Sequence, residues 1–195
     1  MKRLAGLSVL AVLTLAITLP AQEGAATHPY YPLKTGSEWV YKVQGGPIKV
    51  KVAGPEKVGS ANGFKLETSA GNKVSATETV AVTKDGVQRF NVNGLNPEQP
   101  ILFLPTDPDA TTSWQVNTKV SNQAITGTFK VNKEKVTVPA GAYDALHVRG
   151  ENMTIGSTQT TVEYWFAKDV GIVKLRFTLG SQDATLELES YTPGK

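Results

Sequence analysis

The two histidines are the first residues to test for chemistry, because imidazole is the commonest acid–base group and metal ligand in proteins. His28 lies in a small polar stretch, and we expect it to be solvated and outside the folded domain. His147 alternates with Leu146 and Val148, which take the opposite face of the same run. No Gly-x-Ser-x-Gly motif accompanies it. We therefore interpret His147 as a surface or sheet-face histidine, and we predict no catalytic residue and no enzyme.

Pairs of carboxylates are the second candidate chemistry, because glycoside hydrolysis uses two of them across one bond. Glu187 and Glu189 share one face of a run, but the leucines that alternate with them mark an ordinary two-faced strand. Glu163 lies two residues before Trp165, and aromatic neighbours suit the stacking of sugars. A carboxylate-dependent hydrolase that uses Glu163 is therefore kept as an alternative function.

An acidic pair in one loop is the candidate metal site. Asp107 and Asp109 flank a proline and could supply two of the several oxygen ligands that calcium requires. The spacing lacks the glycine and the terminal glutamate of an EF-hand, and Asp-Pro commonly opens a turn. The chain has no cysteine, which excludes thiol catalysis and thiolate metal sites. We predict no cofactor and no metal centre, with Asp107 and Asp109 kept as candidate ligands.

The N-terminal residues indicate where the protein works. Lys2 and Arg3 precede an almost wholly apolar run, and Ala21 offers a small residue for cleavage. The run is short for a membrane-spanning helix, which needs roughly 20 apolar residues. We predict a signal peptide over 1–21, cleaved after Ala21 or alternatively after Ala26, and no transmembrane anchor in the mature chain. The protein is then periplasmic or extracellular.

The mature chain is close to electrical neutrality. The full chain holds 20 basic and 17 acidic residues. Because Lys2 and Arg3 leave with the signal peptide, 18 basic residues remain against 17 acidic ones. A surface with this balance gives no reason to propose nucleic acid or anionic lipid as a partner.

Apolar residues alternate with polar ones through most of the chain after residue 30, which is typical of half-buried β-strands. Glycine-containing turns separate these runs, and Asp85-Gly86 predicts a short hairpin. We expect an all-β antiparallel meander of ten to twelve short strands, as a strongly curved sheet or an open or half barrel, with sandwich closure as an alternative. Residues 22–29 are interpreted as a flexible leader and residues 30–195 as a single β domain.

One segment interrupts this rhythm. Residues 96–113 contain four prolines around the apolar run at 101–104. Because proline cannot donate to a central ladder, we predict an edge strand or a packed crossing loop here.

Three motifs together resemble those of a broad group of uncharacterised exported bacterial β proteins. They are YYPLKTGSEWVY at 30–41, VTVPAGAYDA at 136–145 and YWFAKDVGIVK at 164–174. The resemblance covers nearly the whole mature chain and implies an all-β fold and an exported location, but no reaction. Asp169 stands where the group often has glycine, which concerns the geometry of one turn.

Two tryptophans in these motifs are the candidate ligand-binding residues. We expect Trp39 and Trp165 to pack the sheet, and a ligand-facing role is the alternative. Our leading hypothesis is a non-enzymatic exported envelope protein whose curved sheet binds an apolar small molecule or an envelope protein. Besides the hydrolase, the alternative is a structural or protein-interaction module with a fully packed interior.

Overall fold

A computed structural model describes residues 27–59 and 61–195. The predicted signal peptide, both candidate cleavage sites and most of the predicted leader lie outside these residues. The described chain forms twelve strands: β1 (Glu38–Lys42), β2 (Ile48–Val58), β3 (Ala61–Ala70), β4 (Lys73–Thr83), β5 (Gly86–Val92), β6 (Ile101–Pro105), β7 (Ser113–Val120), β8 (Gln123–Val138), β9 (Gly141–Ile155), β10 (Thr158–Ala167), β11 (Gly171–Leu179) and β12 (Gln182–Thr192).

All twelve strands belong to one antiparallel sheet that curls into a nearly closed barrel. The order is β6-β5-β4-β3-β2-β1-β12-β11-β10-β9-β8-β7, so every neighbour except the β1–β12 pair is consecutive in the chain. The expected meander of ten to twelve strands is confirmed, and the sandwich alternative is wrong because a single sheet accounts for every strand. The described residues include no helix of the length and apolarity that crossing a bilayer requires.

The barrel has one open seam, between the edge strands β6 and β7. The proline-rich segment supplies β6, which confirms the predicted edge strand. A few bonds bridge the seam: the Trp114 indole donates to the Leu102 carbonyl (2.9 Å), and the Glu98 N–H donates to the Lys119 carbonyl (2.8 Å). Side chains and single backbone bonds therefore replace a continuous ladder at this position.

The predicted hairpin at Asp85-Gly86 joins β4 to β5, with Thr83 paired to Gly86. Gly86 has a φ of 131°, a conformation that side-chain-bearing residues rarely adopt. A Cβ atom at this position would also collide with the Leu104 carbonyl of β6. Glycine is thus required both by the turn and by the close approach of the edge strand.

The two ends of the barrel differ in packing. Because neighbouring strands are antiparallel, the β1–β2, β3–β4, β5–β6, β7–β8, β9–β10 and β11–β12 connections lie at one end, which we call the open end. Residues 28–37 lie at the opposite end and form what we call the N-terminal plug. The Tyr31 ring stacks near Trp39 and meets Phe103 and Phe166 edge-on, with centroid distances of 5.6–6.2 Å. This aromatic cluster fills the plugged end.

His28 belongs to the N-terminal plug, so the expectation that it is solvated is wrong. It is 3% exposed. Its Nδ1 accepts a hydrogen bond from the Tyr30 N–H (3.2 Å), so Nε2 carries the proton and donates to the Pro105 carbonyl (3.1 Å). Pro29 is tied down as well, because its carbonyl accepts from the Asp169 N–H (2.7 Å). These tertiary bonds order residues whose composition alone is typical of a leader.

Trp39 is fully buried and holds the opening strand to the β10–β11 turn. Its indole N–H donates to the Val170 carbonyl (2.6 Å), and its ring stacks between Tyr31 and Tyr191. A ligand-facing role for Trp39 stays a prediction.

We expect Trp39→Ala to lower the free energy of unfolding by roughly 3–5 kcal/mol, because it empties a large buried volume. Trp39→Phe keeps most of the apolar area but leaves the Val170 carbonyl without its donor, and it should cost about 1–3 kcal/mol. Urea unfolding followed by circular dichroism measures both. An unchanged midpoint for Trp39→Ala, together with loss of ligand binding, would instead assign Trp39 to a binding site.

Acid should weaken the N-terminal plug through His28. Burial lowers the pKa of His28 from its ordinary value of 6.5, while its bond to Pro105 partly offsets the shift. The unfolded chain therefore binds the proton first, so this contribution to stability is complete above pH 6.5 and is lost as the pH falls through the lower folded pKa. We expect His28→Gln to lose less stability than the wild type between pH 7.5 and 5. Equal losses in urea midpoint for the two proteins would contradict this assignment.

Candidate functional site

The register of β10, β11 and β12 determines which side chains face the inside of the barrel. Tyr164, which packs against Phe103 in the core, lies directly opposite Leu175. Val162 lies directly opposite Phe177 in the same ladder, and no bulge separates this pair from the pair of Tyr164 and Leu175. Since directly paired residues share a face of the sheet, Leu175 and Phe177 line the concave side.

An apolar wall continues from this stretch to the open end. We define it as the inward residues of β11 and β12, namely Leu175, Phe177, Leu179, Ala184 and Leu186. Phe177 is 37% exposed and Leu179 is 38% exposed, although both lie on the side of the sheet that is fully packed at the other end. The interior is therefore filled at the plugged end and accessible near the open end.

The exposed large apolar side chains of residues 27–59 and 61–195 share one location. They are Val74, Leu95, Phe177 and Leu179. All four lie at or near the turns of the open end. A concentration of exposed apolar groups at one end of a barrel is typical of a binding surface.

Two charged residues lie on the concave face between these regions. Glu78 is paired with the buried Leu66, and Arg89 is paired with the buried Val80. Arg89 Nε donates to Glu78 Oε2 at 2.9 Å, and the guanidinium carbon lies 5.2 Å from the centre of the Phe103 ring. An ion pair thus forms inside the barrel, next to the aromatic core.

Tyr31 and Tyr164 lie close enough to this ion pair for the charges of Glu78 and Arg89 to affect the pKa of the Tyr31 hydroxyl, and for both tyrosines to affect the pKa of Arg89. Burial raises the pKa of the Tyr31 hydroxyl, and the negative charge of Glu78 raises it further, whereas Arg89 acts in the opposite direction. Burial by itself lowers the pKa of Arg89, but Glu78 and the two tyrosines outweigh burial and raise that pKa above its usual value. We call Glu78, Arg89, Tyr31 and Tyr164 the interior polar cluster.

Several atoms of the interior polar cluster have no partner within the described ranges. Neither tyrosine hydroxyl forms a hydrogen bond there, and Arg89 bonds only through Nε. Tyr31 and Tyr164 are each 6% exposed. Among the described residues, no side-chain nitrogen or oxygen that is inaccessible to solvent lacks a hydrogen-bond partner. Glu78, Arg89 and Tyr164 lie on the concave face of the sheet, and Tyr31 packs against Phe103 beside them.

The interior polar cluster was not predicted from the sequence, although one signal was present. Glu78 lies between Ala76 and Val80 on the apolar face of an alternating run, where a charge is out of place. The pairing of Glu78 with Arg89 was not visible in the sequence, since it depends on the β4–β5 register and on a bulge at Thr79/Val80.

A second cluster lies on the outer face of β8, β9 and β10. His147 stacks on Trp165, with ring centroids 4.3 Å apart and an interplanar angle of 7°. Its Nε2 lies 2.9 Å from Glu163 Oε2, and its Nδ1 lies 3.3 Å from Glu134 Oε2. Glu134 also accepts a hydrogen bond from the Trp165 indole. These four residues form what we call the outer cluster.

His147 lies on a sheet face, which was one of the two expectations, but it is not a surface residue, since it is only 9% exposed. Its Nε2 is hydrogen-bonded to Glu163, and its Nδ1 faces the Glu134 carboxylate. The cluster holds the long β8–β9 hairpin to β10. Glu163 is equally buried against His147. Trp165 is buried too, and its predicted role in binding a ligand stays a prediction.

The two candidate metal ligands lie in the β6–β7 connection. Asp107 Oδ1 accepts from the N–H groups of Asp109 and Ala110, at 3.1 and 3.0 Å, which closes a turn. Asp109 is engaged by Lys133 at 2.6 Å. Within the described ranges, no three His, Cys, Asp or Glu side chains are grouped for a metal ion.

Comparison with known proteins finds a partial family match and two distant structural likenesses. A family model described as DUF3108-like matches residues 106–176. No curated protein matches. A solved structure of a proposed lipoprotein from Parabacteroides distasonis has 12% identity and a TM-score of 0.46, covering 86% of this chain and 100% of its own. A solved structure of a proposed exported protein with a YmcC-like fold from Bacteroides fragilis has 15% identity and a TM-score of 0.47. This match covers 83% of this chain and 98% of the Bacteroides fragilis chain.

Removal of His147 should destabilise the protein through the carboxylate it leaves behind. We expect His147→Ala to lower the free energy of unfolding by about 1–3 kcal/mol, because the buried Glu163 loses its hydrogen bond to His147 and, within the described ranges, keeps only Arg176, at 4.0 Å. Asn132→Ala is the matched control, since Asn132 is exposed and lies opposite His147 in the β8–β9 ladder. The control should change stability by less than about 0.5 kcal/mol. Equal urea midpoints for both variants would show that the outer cluster does not stabilise the fold.

Proposed function

We propose that this chain is a non-enzymatic exported protein that binds an apolar ligand inside the open end of its barrel. The observation that carries the proposal is the exposure of the apolar wall on a concave face whose other end is fully packed. A barrel that served only as a scaffold would gain stability by burying Phe177 and Leu179. Their exposure supports a site that a ligand fills.

Export is supported by the N-terminal sequence. Lys2 and Arg3, the apolar run after them and the small residue Ala21 have the order of a secretory signal peptide. An exported protein that shelters an apolar molecule would carry it through water, which matches a barrel with an open end and a sealed one. The proposed location is the cell envelope or the outside of the cell.

A non-enzymatic role is supported by the way the candidate catalytic groups are used. The hydrolase alternative needs Glu163 and a second carboxylate to flank a substrate. Glu163 and Glu134 instead both face the His147 ring, which is covered by Trp165. The His147 ring therefore occupies the position between the two carboxylates where a scissile bond would have to lie.

A charge placed on the apolar wall should weaken ligand binding without unfolding the barrel. The probe is N-phenyl-1-naphthylamine, whose fluorescence rises in apolar surroundings. We expect Phe177→Lys to weaken its binding at least tenfold, because the ammonium group would lie inside the site. Thr178→Lys is the matched control on the opposite face of the same strand and should bind normally.

The alternatives give different results in the same titration. A module with a fully packed interior would not bind the probe, in the wild type or in either variant. Equal weakening by Phe177→Lys and Thr178→Lys would place the probe outside the barrel and contradict the proposed site. Circular dichroism melts of both variants establish that they remain folded.

A further inference from the structure

The interior polar cluster gives the proposed concave site a polar region in addition to its apolar one. The apolar wall lies toward the open end, while Glu78, Arg89 and the hydroxyls of Tyr31 and Tyr164 lie deeper, beside the aromatic core. A wholly apolar ligand would leave the polar groups of this cluster either in contact with water or without hydrogen-bond partners. The arrangement fits a molecule with one apolar part and one polar part.

The cluster has hydrogen-bonding groups that no described residue engages. Tyr31 and Tyr164 are more than nine-tenths buried, yet no described residue hydrogen-bonds to either hydroxyl. A buried tyrosine hydroxyl normally finds a partner inside the protein. The terminal guanidinium nitrogens of Arg89 also have no hydrogen-bond partner among the described residues, since only Nε bonds to Glu78. Several groups that can donate hydrogen bonds, and at least two that can also accept them, therefore lie close together on the concave side of the sheet.

The charges of the cluster indicate which head group the proposed site would accept. Glu78 and Arg89 neutralise each other at 2.9 Å. An anionic head group would meet the Glu78 carboxylate, and a cationic one would meet the Arg89 guanidinium. Either would enter a poorly hydrated site with a charge that no protein group balances, which is costly. An uncharged head group that both donates and accepts hydrogen bonds avoids this cost.

We propose that the barrel binds a single-chain amphiphile with an uncharged, hydroxyl-bearing head group, the chain along the apolar wall and the head group at the interior polar cluster. This inference rests on the proposed function, because it places the ligand in the same concave site. Tyr31 and Tyr164 would then act as binding residues through their hydroxyl groups.

The test compares amphiphiles with the same chain and different head groups. Monolauroylglycerol, laurate and dodecylammonium compete with N-phenyl-1-naphthylamine for the wild-type protein at pH 8, below their critical micelle concentrations. We expect monolauroylglycerol to displace the probe at least tenfold more effectively than either charged amphiphile. Equal displacement by the three amphiphiles would overturn the head-group inference while leaving the apolar site intact. Failure of the probe and of every amphiphile to bind would overturn both.

Tyrosine-to-phenylalanine variants test the cluster directly. The double variant Tyr31→Phe/Tyr164→Phe removes two hydroxyls that bond to no described residue, so its melting temperature should not fall. Its affinity for monolauroylglycerol should drop about five- to fiftyfold, at a few-fold to tenfold per hydrogen bond lost, while the probe binds as before. Tyr41→Phe is the control, because the Tyr41 hydroxyl donates to the Ile172 carbonyl (2.8 Å) and should affect stability but not the head group. Unchanged monolauroylglycerol affinity in the double variant would overturn the proposal.

Discussion

The packing of Tyr31 at the plugged end is the contact on which the rest of the barrel depends. Its ring meets Trp39 of β1, Phe103 of β6 and Phe166 of β10, so one side chain joins strands that are far apart around the sheet. A single curled sheet cannot fill its own interior unless its inward side chains meet across the barrel. The N-terminal plug supplies the missing aromatic volume at one end, and the other end receives no comparable segment from the described chain.

This asymmetry has an electrostatic consequence. Glu78 and Arg89 lie where the packed half gives way to the accessible half, with Arg89 against the Phe103 ring. A buried ion pair is a weak source of stability, because removing two charges from water offsets most of their attraction. Apolar side chains at both positions would have completed the core equally well. The presence of the pair therefore supports the proposed ligand site more than it supports a stabilising role.

The outer cluster shows the same residue types in a structural role. His147 and Glu163 are residue types that catalysis commonly uses, and Trp165 is a candidate ligand-binding residue, yet the fold joins all three into one packed unit with Glu134. Stacking and hydrogen bonding there tie the β8–β9 hairpin to β10. The tip of that hairpin reaches farther, because the Ala140 N–H donates to the Leu188 carbonyl of β12 (2.8 Å). The titratable residues of the outer cluster thus stabilise the packing of the strands.

The sequence by itself determined the strands, since period-two alternation and glycine turns require only local information. It placed the edge strand correctly too, because proline lacks the donor that a central ladder needs. Tertiary structure alone decided the partners. His28 is buried through Pro105, 77 residues away, and Glu78 meets Arg89 because a bulge at Thr79/Val80 sets the register. The physical reason is that alternation specifies which side chains share a face, whereas contacts across a closed sheet depend on register, curvature and the segment that fills the interior.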